Sequence, residues 1–276
     1  MLELTFVLLL STPAPLFDKG ASRPAPLALF KTCQISSHSQ QTIAACTAFL
    51  NKNRLAGRIK RALAYVHRGH AFLEEKRFDR ALSDFEQAIK INPKNPQAYF
   101  YRGSAYSQIG KHQQAIKAYD RAIHLQPDFV EAYFNRGTAY GRLRNFTKSI
   151  ADLSAAIGFD PALGKAYANR GAAHAYLQHW QQALKDFDRA VQLAPQQAAV
   201  WLNRAEIYRI EGQRQKALQD YLKGFALSHK KRVRLLQKRL QRNDGYPGAL
   251  DGLFNPETRQ FLKKCLANHA FDRHKL

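Results

Sequence analysis

Asparagine recurs at intervals of 34 residues near the middle of the chain, at Asn135, Asn169 and Asn203, and an arginine follows each one. An amide side chain both donates and accepts hydrogen bonds, so a row of amides can pair with the backbone of an extended peptide. Asparagine is also a poor helix former, which favours a purpose for it inside a helix. The row is therefore the first candidate for a binding site, and inheritance by repeat duplication alone is the alternative.

Groups that could carry out catalysis do not form a recognisable set. Cys265 and His269 stand one helical turn apart, as a nucleophile and its base could, but no further residue is spaced to orient the histidine. The spacing of Cys265, His269, Asp272 and His274 matches no closed zinc site, and the sequence has no glycine-rich phosphate loop. We therefore predict a protein that is not an enzyme and that uses no catalytic residue, metal or cofactor.

The asparagines belong to a longer 34-residue pattern that returns five times between residues 62 and 231. Each copy begins with an aromatic residue such as Tyr65 and has a small residue such as Gly69 one turn later, and a second apolar stretch follows at helical intervals. Proline ends the second stretch in the first four copies, at Pro93, Pro127, Pro161 and Pro195. The pattern predicts five pairs of helices that pack closely through their small residues.

This arrangement resembles the tetratricopeptide repeat (TPR) family over residues 62–231. The resemblance implies an all-α TPR solenoid of about five helix-pair repeats, with a concave groove that holds a protein or an extended peptide. It also places Asn135, Asn169 and Asn203 in that groove, with apolar pockets at Phe100 and Phe134 beside them. Because the fifth copy lacks a closing proline, we expect it to merge with the element that follows.

A basic stretch with one apolar face follows the repeats: residues 230–242 contain seven basic residues and no acidic one. It favours either a solvated capping helix or a helix that docks on an anionic surface. Beyond it, the residues Tyr246-Pro247-Gly248, Asp251-Gly252, Phe254 and Thr258 resemble the small helical peptidoglycan-binding domain of bacterial cell-wall hydrolases and envelope proteins. The resemblance implies that a glycan or stem peptide is bound by Tyr246, Asp251, Phe254, Thr258 and Arg259. The alternative is that these residues only hold a small core.

Charge and cysteine content restrict the partner and the compartment. Lysine and arginine number 43 against 21 acidic residues, a formal net charge of +22, so we expect an anionic partner. Residues 4–10 are apolar like a short secretion signal, but they are too few for a membrane span, which needs about 20. Cys33 and Cys46 are candidates for a disulfide in an oxidising compartment, and two buried thiols are the alternative.

We therefore predict four regions: a possible signal segment and disordered linker (1–30), an incomplete leading repeat (31–61), the TPR repeats (62–231) and a peptidoglycan-binding-like module (232–276). The predicted function is a non-enzymatic scaffold or adaptor of the bacterial cell envelope, periplasmic and not an integral membrane protein. It would bind a protein or extended peptide in the groove and be tethered to peptidoglycan by the last region. The alternatives are a cytoplasmic basic TPR protein that binds nucleic acid, and an accessory subunit of a cell-wall hydrolase.

Overall fold

The computed structural model describes residues 26–35, 38–52 and 57–267, in which helix is the regular secondary structure. The predicted signal segment and the first part of the predicted linker lie outside the described residues, as does His269. The described helices, in chain order, are α1 (Pro26–Ile35), α2 (Ser39–Lys52), α3 (Arg58–Glu74), α4 (Phe78–Ile91), α5 (Pro96–Gln108), α6 (His112–Leu125), α7 (Val130–Arg142), α8 (Phe146–Phe159), α9 (Gly164–Tyr176), α10 (Trp180–Leu193), α11 (Ala198–Ile210), α12 (Arg214–Ala226), α13 (Lys230–Asp244) and α14 (Pro256–Ala267). None of the described helices is long and apolar enough to span a membrane.

The helices group into two compact units that divide between Ala155 and Ala156, inside α8. We call the described residues up to Ala155 the N-terminal unit and those from Ala156 onward the C-terminal unit. Within each unit, helices that follow one another along the chain pack in pairs. The boundaries predicted from the sequence do not coincide with this division, and they stay predictions.

The paired helices pack closely because the first helix carries a small residue against a large apolar side chain of the second, an aromatic ring in most repeats and Leu153 in the third. A Cβ atom on Gly69 would lie 2.7 Å from Cε1 of Phe85, and one on Gly103 would lie 2.6 Å from Cε1 of Tyr119. Neither distance leaves room for a methyl group. The predicted all-α class and its helix-pair repeats are confirmed, and the small residues are required by the packing.

A residue with left-handed backbone conformation follows the first helix of every repeat. These residues recur at 34-residue spacing with φ between 57° and 77°: Lys76, Gly110, Arg144, Gln178 and Gly212. The amide after each of them donates to a carbonyl five residues back, as Arg77 N does to Phe72 O at 2.8 Å. This hydrogen bond satisfies a carbonyl that the end of the helix leaves open, so the turn between the paired helices has one geometry throughout.

Two extra elements cover the ends of the repeats. At the start, Cys33 of α1 is bonded to Cys46 of α2, and Phe30 packs against Phe49 with 5.0 Å between ring centroids. This pair of helices shares its core with Ala64 of α3. The first two helices therefore cover the open face of the first repeat.

At the other end, the last repeat shares one core with the helices that follow it. Tyr221 and Phe225 of α12 pack with Leu236 and Leu240 of α13 and with Leu262 of α14. The fifth repeat thus merges with the next element, as its missing proline predicts.

Candidate functional site

An arginine in the first helix of every repeat stacks over the aromatic residue three positions before it. In the five repeats the guanidinium carbon lies 5.0–5.5 Å from the ring centroid. We call these arginines the arginine ladder: Arg68, Arg102, Arg136, Arg170 and Arg204. Three residues approximate one turn of helix, so each arginine lies directly above its ring, which holds the guanidinium by a cation–π contact.

In four repeats an aspartate sixteen residues later holds the ladder arginine from the second helix. Arg170 donates from Nε and Nη2 to the two carboxylate oxygens of Asp186, at 2.8 and 2.7 Å. The same two-bond pairing, at 2.6–2.8 Å, joins the other three pairs: Arg68 to Asp84, Arg136 to Asp152 and Arg204 to Asp220. The hydrogen bond with Asp186 raises the pKa of Arg170 above its usual value. These pairs join the two helices of a repeat and neutralise most of the ladder's charge.

The predicted row of accessible asparagines is not what the structure shows. Asn169 has no exposed surface and Asn203 retains 7%. Asn135 keeps partial exposure and is hydrogen-bonded to the buried Tyr119. Asn169 and Asn203 therefore offer almost no surface to a partner, and their role in a peptide-binding groove stays a prediction.

The two predicted apolar pockets are filled by the protein's own side chains. Phe134 is 7% exposed, so it belongs to the core. Phe100 is half-buried among aromatic rings, with centroids 4.8 Å from Phe129, 5.3 Å from Tyr101 and 5.9 Å from Tyr119. Phe100 keeps some accessible edge, but Phe134 offers a partner almost no surface.

An open depression of about 670 Å³ lies beside the ladder in the C-terminal unit. Tyr167 and Tyr208 contribute aromatic faces, and the lining also includes Arg170, Lys185, Asp186, Asp188, Arg189 and Lys216. Both carboxylates are already paired, with Arg170 and with Arg204. The other three basic side chains, Lys185, Arg189 and Lys216, have no carboxylate partner among the described residues. Arg189 and Lys216 donate hydrogen bonds to glutamines instead. The depression therefore combines aromatic faces with uncompensated positive charge.

A second depression, of about 550 Å³, lies in the N-terminal unit and again includes a ladder arginine. It is lined by Leu50, Asn51, Arg61, Tyr65 and Arg68. Arg61 donates from Nη1 to the carbonyl of Leu50 at 3.3 Å, which ties α3 to α2. Both depressions thus lie where a stacked aromatic and arginine meet a neighbouring helix. The sequence shows the arginines plainly, but only the structure places them at the surface beside open space.

The five residues predicted to bind peptidoglycan do not form one exposed set. Tyr246 and Thr258 are buried, and their hydroxyl oxygens lie 2.8 Å apart in a hydrogen bond. Phe254 is half-buried, packs against Phe225 at 5.7 Å, and carries the Arg259 guanidinium 5.6 Å from its ring centroid. Asp251 accepts hydrogen bonds from Gln237 and from the Leu253 amide, and these bonds lower its pKa. Only Asp251, Phe254 and Arg259 retain surface for a ligand.

Gln237 is the centre of this region. Its side chain is fully buried, its Nε2 donates to Asp251 Oδ1 at 2.8 Å and to Thr258 Oγ1 at 3.2 Å, and its Oε1 accepts from the Gly252 amide at 2.8 Å. Each partner comes from the loop or helix opposite α13. The amide therefore fixes the fold of the last region, and Tyr246 and Thr258 serve that internal network.

No group of three or more histidine, cysteine, aspartate or glutamate side chains in the described ranges could hold a metal ion. Cys265 is buried, and burial raises its thiol pKa to about 11. A thiol with that pKa is protonated at neutral pH and is a poor nucleophile.

Pairs of helices with one turn geometry, one arginine per pair and a 34-residue period define a helical-repeat protein of the kind that binds other proteins. Family models agree with this class: the tetratricopeptide repeat matches residues 130–163, 164–197 and 198–229, and a model described as TPR repeat matches 69–110 and 103–143. Together the matches run from 69 to 229, more than half of the chain. The chain belongs to the TPR family.

Solved TPR structures share this fold. YrrB, described as a TPR protein with an unusual peptide-binding site, is 19% identical, with a TM-score of 0.57 over 67% of this chain and 93% of that one. Residues 41 to the end of MamA from Desulfovibrio magneticus RS-1 are also 19% identical, with a TM-score of 0.57 over 60% of this chain and 94% of that one. Identities this low establish the fold alone. No curated protein sequence matches the chain.

Proposed function

We propose that this protein is a non-enzymatic scaffold that binds acidic segments of another protein beside the arginines of its ladder. The observation that carries the proposal is the depression in the C-terminal unit. Its lining has four basic side chains against two carboxylates, and both carboxylates are committed to arginines. A ligand there meets uncompensated positive charge and two tyrosine faces.

The chemistry of the lining favours a peptide with acidic residues next to an apolar or aromatic one. Lys185, Arg189 and Lys216 supply charge-assisted donors, and Tyr167 and Tyr208 supply apolar surface with a polar edge. The net charge of +22 adds long-range attraction for any acidic partner. A volume of about 670 Å³ suits a few side chains rather than a whole domain.

The experiment compares two triple charge reversals with equal change in net charge. One carries Lys185→Glu, Arg189→Glu and Lys216→Glu in the depression. The other carries Lys223→Glu, Lys263→Glu and Lys264→Glu, which are exposed in the same unit and do not line it. An array of linear peptides with graded acidic content is probed with each protein.

We expect acidic peptides to bind the unaltered chain, and the first triple to weaken their binding at least about tenfold more than the second. Equal weakening by both triples would show attraction by net charge alone and would refute the site. Preference for RNA or DNA over every peptide, with a steep dependence on salt, would instead favour the nucleic-acid alternative.

Tethering to peptidoglycan is the second proposal, supported by the partial exposure of Asp251, Phe254 and Arg259. Removing the region after Lys231 would uncover Tyr221 and Phe225, so a point substitution is the sharper test. Sedimentation with insoluble peptidoglycan should retain the unaltered chain and the Lys263→Glu control, and should lose Arg259→Glu. If all three chains are retained equally, or none is retained, the last region is not the anchor.

A periplasmic location is proposed on the bond between Cys33 and Cys46, because disulfides persist in oxidising compartments. Peptide mapping of periplasmic and cytoplasmic fractions, alkylated without reduction, would identify the linked peptide and the mature N-terminus. Recovery of both cysteines as alkylated thiols in the cytoplasmic fraction would favour the cytoplasmic alternative.

A further inference from the structure

The second repeat departs from the other four at the ladder. Where the others have an aspartate sixteen residues after the arginine, this repeat has Ala118. Nε of Arg102 is buried and has no hydrogen-bond partner in the described part of the chain. The corresponding atom of each other ladder arginine donates to a carboxylate at 2.6–2.8 Å.

Arg102 has the same position over its aromatic ring as the arginines that are paired with an aspartate. The Arg102 guanidinium carbon lies 5.4 Å from the Tyr99 ring centroid, within the 5.0–5.5 Å range of the other four repeats. The aromatic ring therefore holds Arg102 in the position that a carboxylate would recognise. A donor held in advance binds its acceptor with little loss of conformational entropy.

The surrounding charges do not compensate Arg102 either. Arg136 and Arg204 each donate from Nη1 to a second aspartate, Asp120 or Asp188, on the preceding repeat. The residue at that position for Arg102 is Glu86, which is exposed and makes no hydrogen bond to it. Arg121 approaches the same Tyr99 ring at 6.0 Å and has no carboxylate partner among the described residues.

We propose that the second repeat contains a carboxylate-binding site in which Arg102, assisted by Arg121, receives an acidic side chain or C-terminal carboxylate of the bound protein. Because Nε of Arg102 is buried, the ligand carboxylate pairs with the two terminal nitrogens at the outer edge of the guanidinium. A guanidinium suits this ligand because its planar fork donates two parallel hydrogen bonds to the two oxygens. Arg102 is half-buried, so a carboxylate can approach its outer edge from solvent. The proposal rests on the proposed scaffold function and names one contact of its partner.

The first experiment needs no partner. The Nε–H resonance of Arg102, assigned by its loss in Arg102→Lys, is followed by NMR as acetate or inorganic phosphate replaces chloride at constant ionic strength. We expect acetate to shift it saturably and to leave the Arg204 resonance unchanged. In Ala118→Asp, which supplies the carboxylate from within the chain, the resonance should resemble that of Arg204 and no longer respond. No acetate response, an equal response in Ala118→Asp, or a response to phosphate alone would overturn the proposal.

The second experiment connects the site to binding. Acidic peptides that bind the unaltered chain should bind Ala118→Asp about tenfold more weakly, a loss typical of one charge-assisted contact. Gln114→Asp is the control, because it adds the same charge on the exposed face of the same helix. Equal binding to all three proteins would refute this site while leaving the scaffold function standing. A retained acetate response without any peptide binding would refute the function and leave the site.

Discussion

The left-handed residue that ends the first helix of each repeat allows a quantitative prediction. Two repeats use glycine there, Gly110 and Gly212, whereas three use side chains that crowd the backbone at positive φ: Lys76, Arg144 and Gln178. These three side chains are exposed, and none of them forms an ion pair in the described part of the chain. Replacing them with glycine should therefore relieve backbone strain and remove almost no packing.

The expected size follows from two opposing terms. Left-handed backbone costs a residue with a Cβ atom about 1–2 kcal/mol. Glycine also makes the unfolded chain more flexible, which lowers the free energy of unfolding by about 0.4–1 kcal/mol. Each substitution should therefore raise the free energy of unfolding by about 0.5–1 kcal/mol, and the three together by about 1.5–3 kcal/mol, since sites this far apart add.

The assay is urea unfolding followed by two probes. Circular dichroism reports on all helices, whereas both tryptophans, Trp180 and Trp201, lie in the C-terminal unit. Gln178→Gly should move the fluorescence transition to higher urea with an unchanged slope, because stability changes and exposed area does not. Gly110→Ala is the control and should lose about 1 kcal/mol or more. If the glycine substitutions leave the midpoint unchanged or lower it, the side chains make contacts that outweigh the backbone strain, and the reasoning fails.

Four further predictions follow from particular contacts. Gly103→Ala should lower the free energy of unfolding by about 1–3 kcal/mol, because the new methyl group forces Tyr119 away. Gly158→Ala, with nothing within 4 Å of the new methyl group, should raise it by about 0.5–1 kcal/mol, and urea unfolding measures both changes. Asp186→Ala should lower the free energy of unfolding by about 1–3 kcal/mol, because it leaves Arg170 without its carboxylate. Ala118→Asp should instead raise it by about 1 kcal/mol in urea unfolding, whereas Gln114→Asp should not raise it. Burial lowers the pKa of His174 below its usual 6.5, so the unfolded chain binds the proton more readily than the folded chain. The free energy of unfolding should therefore fall as the pH drops below about 6.5. His174→Tyr, which introduces the residue type of three other repeats, should lessen that fall when melting is measured at several pH values. Reducing the bond between Cys33 and Cys46 should cost the first helix pair about 3 kcal/mol and make it the first site of limited proteolysis.

The fold was readable from the sequence because its period appears in residues of different kinds at once. Gly69 and Gly103 mark close packing, Pro93 and Pro127 mark helix ends, and both sets repeat at the same interval. Agreement between separate signals leaves little freedom for another fold. The left-handed turns were not predicted, because Lys76, Arg144 and Gln178 carry no local signal for positive φ and only their spacing relates them to Gly110.

The candidate binding surface was less predictable, since sequence spacing gives a residue's place on its own helix and not what the next helix covers. Asn169 and Arg170 are neighbours in the chain, yet Asn169 is fully buried and Arg170 lines the open depression. Consecutive residues of a helix point about 100° apart, so one can lie in the core while the next lies at the surface. Similarly, the resemblance to the peptidoglycan-binding domain implies that Tyr246 and Thr258 bind a ligand, but their hydrogen bonds with each other and with the buried amide of Gln237 make them internal partners.

The net charge of +22 must likewise be assigned residue by residue. Most of the ladder does not supply it, because Arg68, Arg136, Arg170 and Arg204 are held by aspartates in hydrogen bonds of 2.6–2.8 Å. What a partner meets is the remainder: side chains such as Lys185 and Lys216, and the one ladder arginine whose aspartate is missing. Loss of a single carboxylate from a repeated pair leaves the arginine's position intact and its charge available. The other four ladder arginines are paired with aspartates of the chain. Arg102 has no such aspartate, so a carboxylate of the proposed partner can pair with it instead.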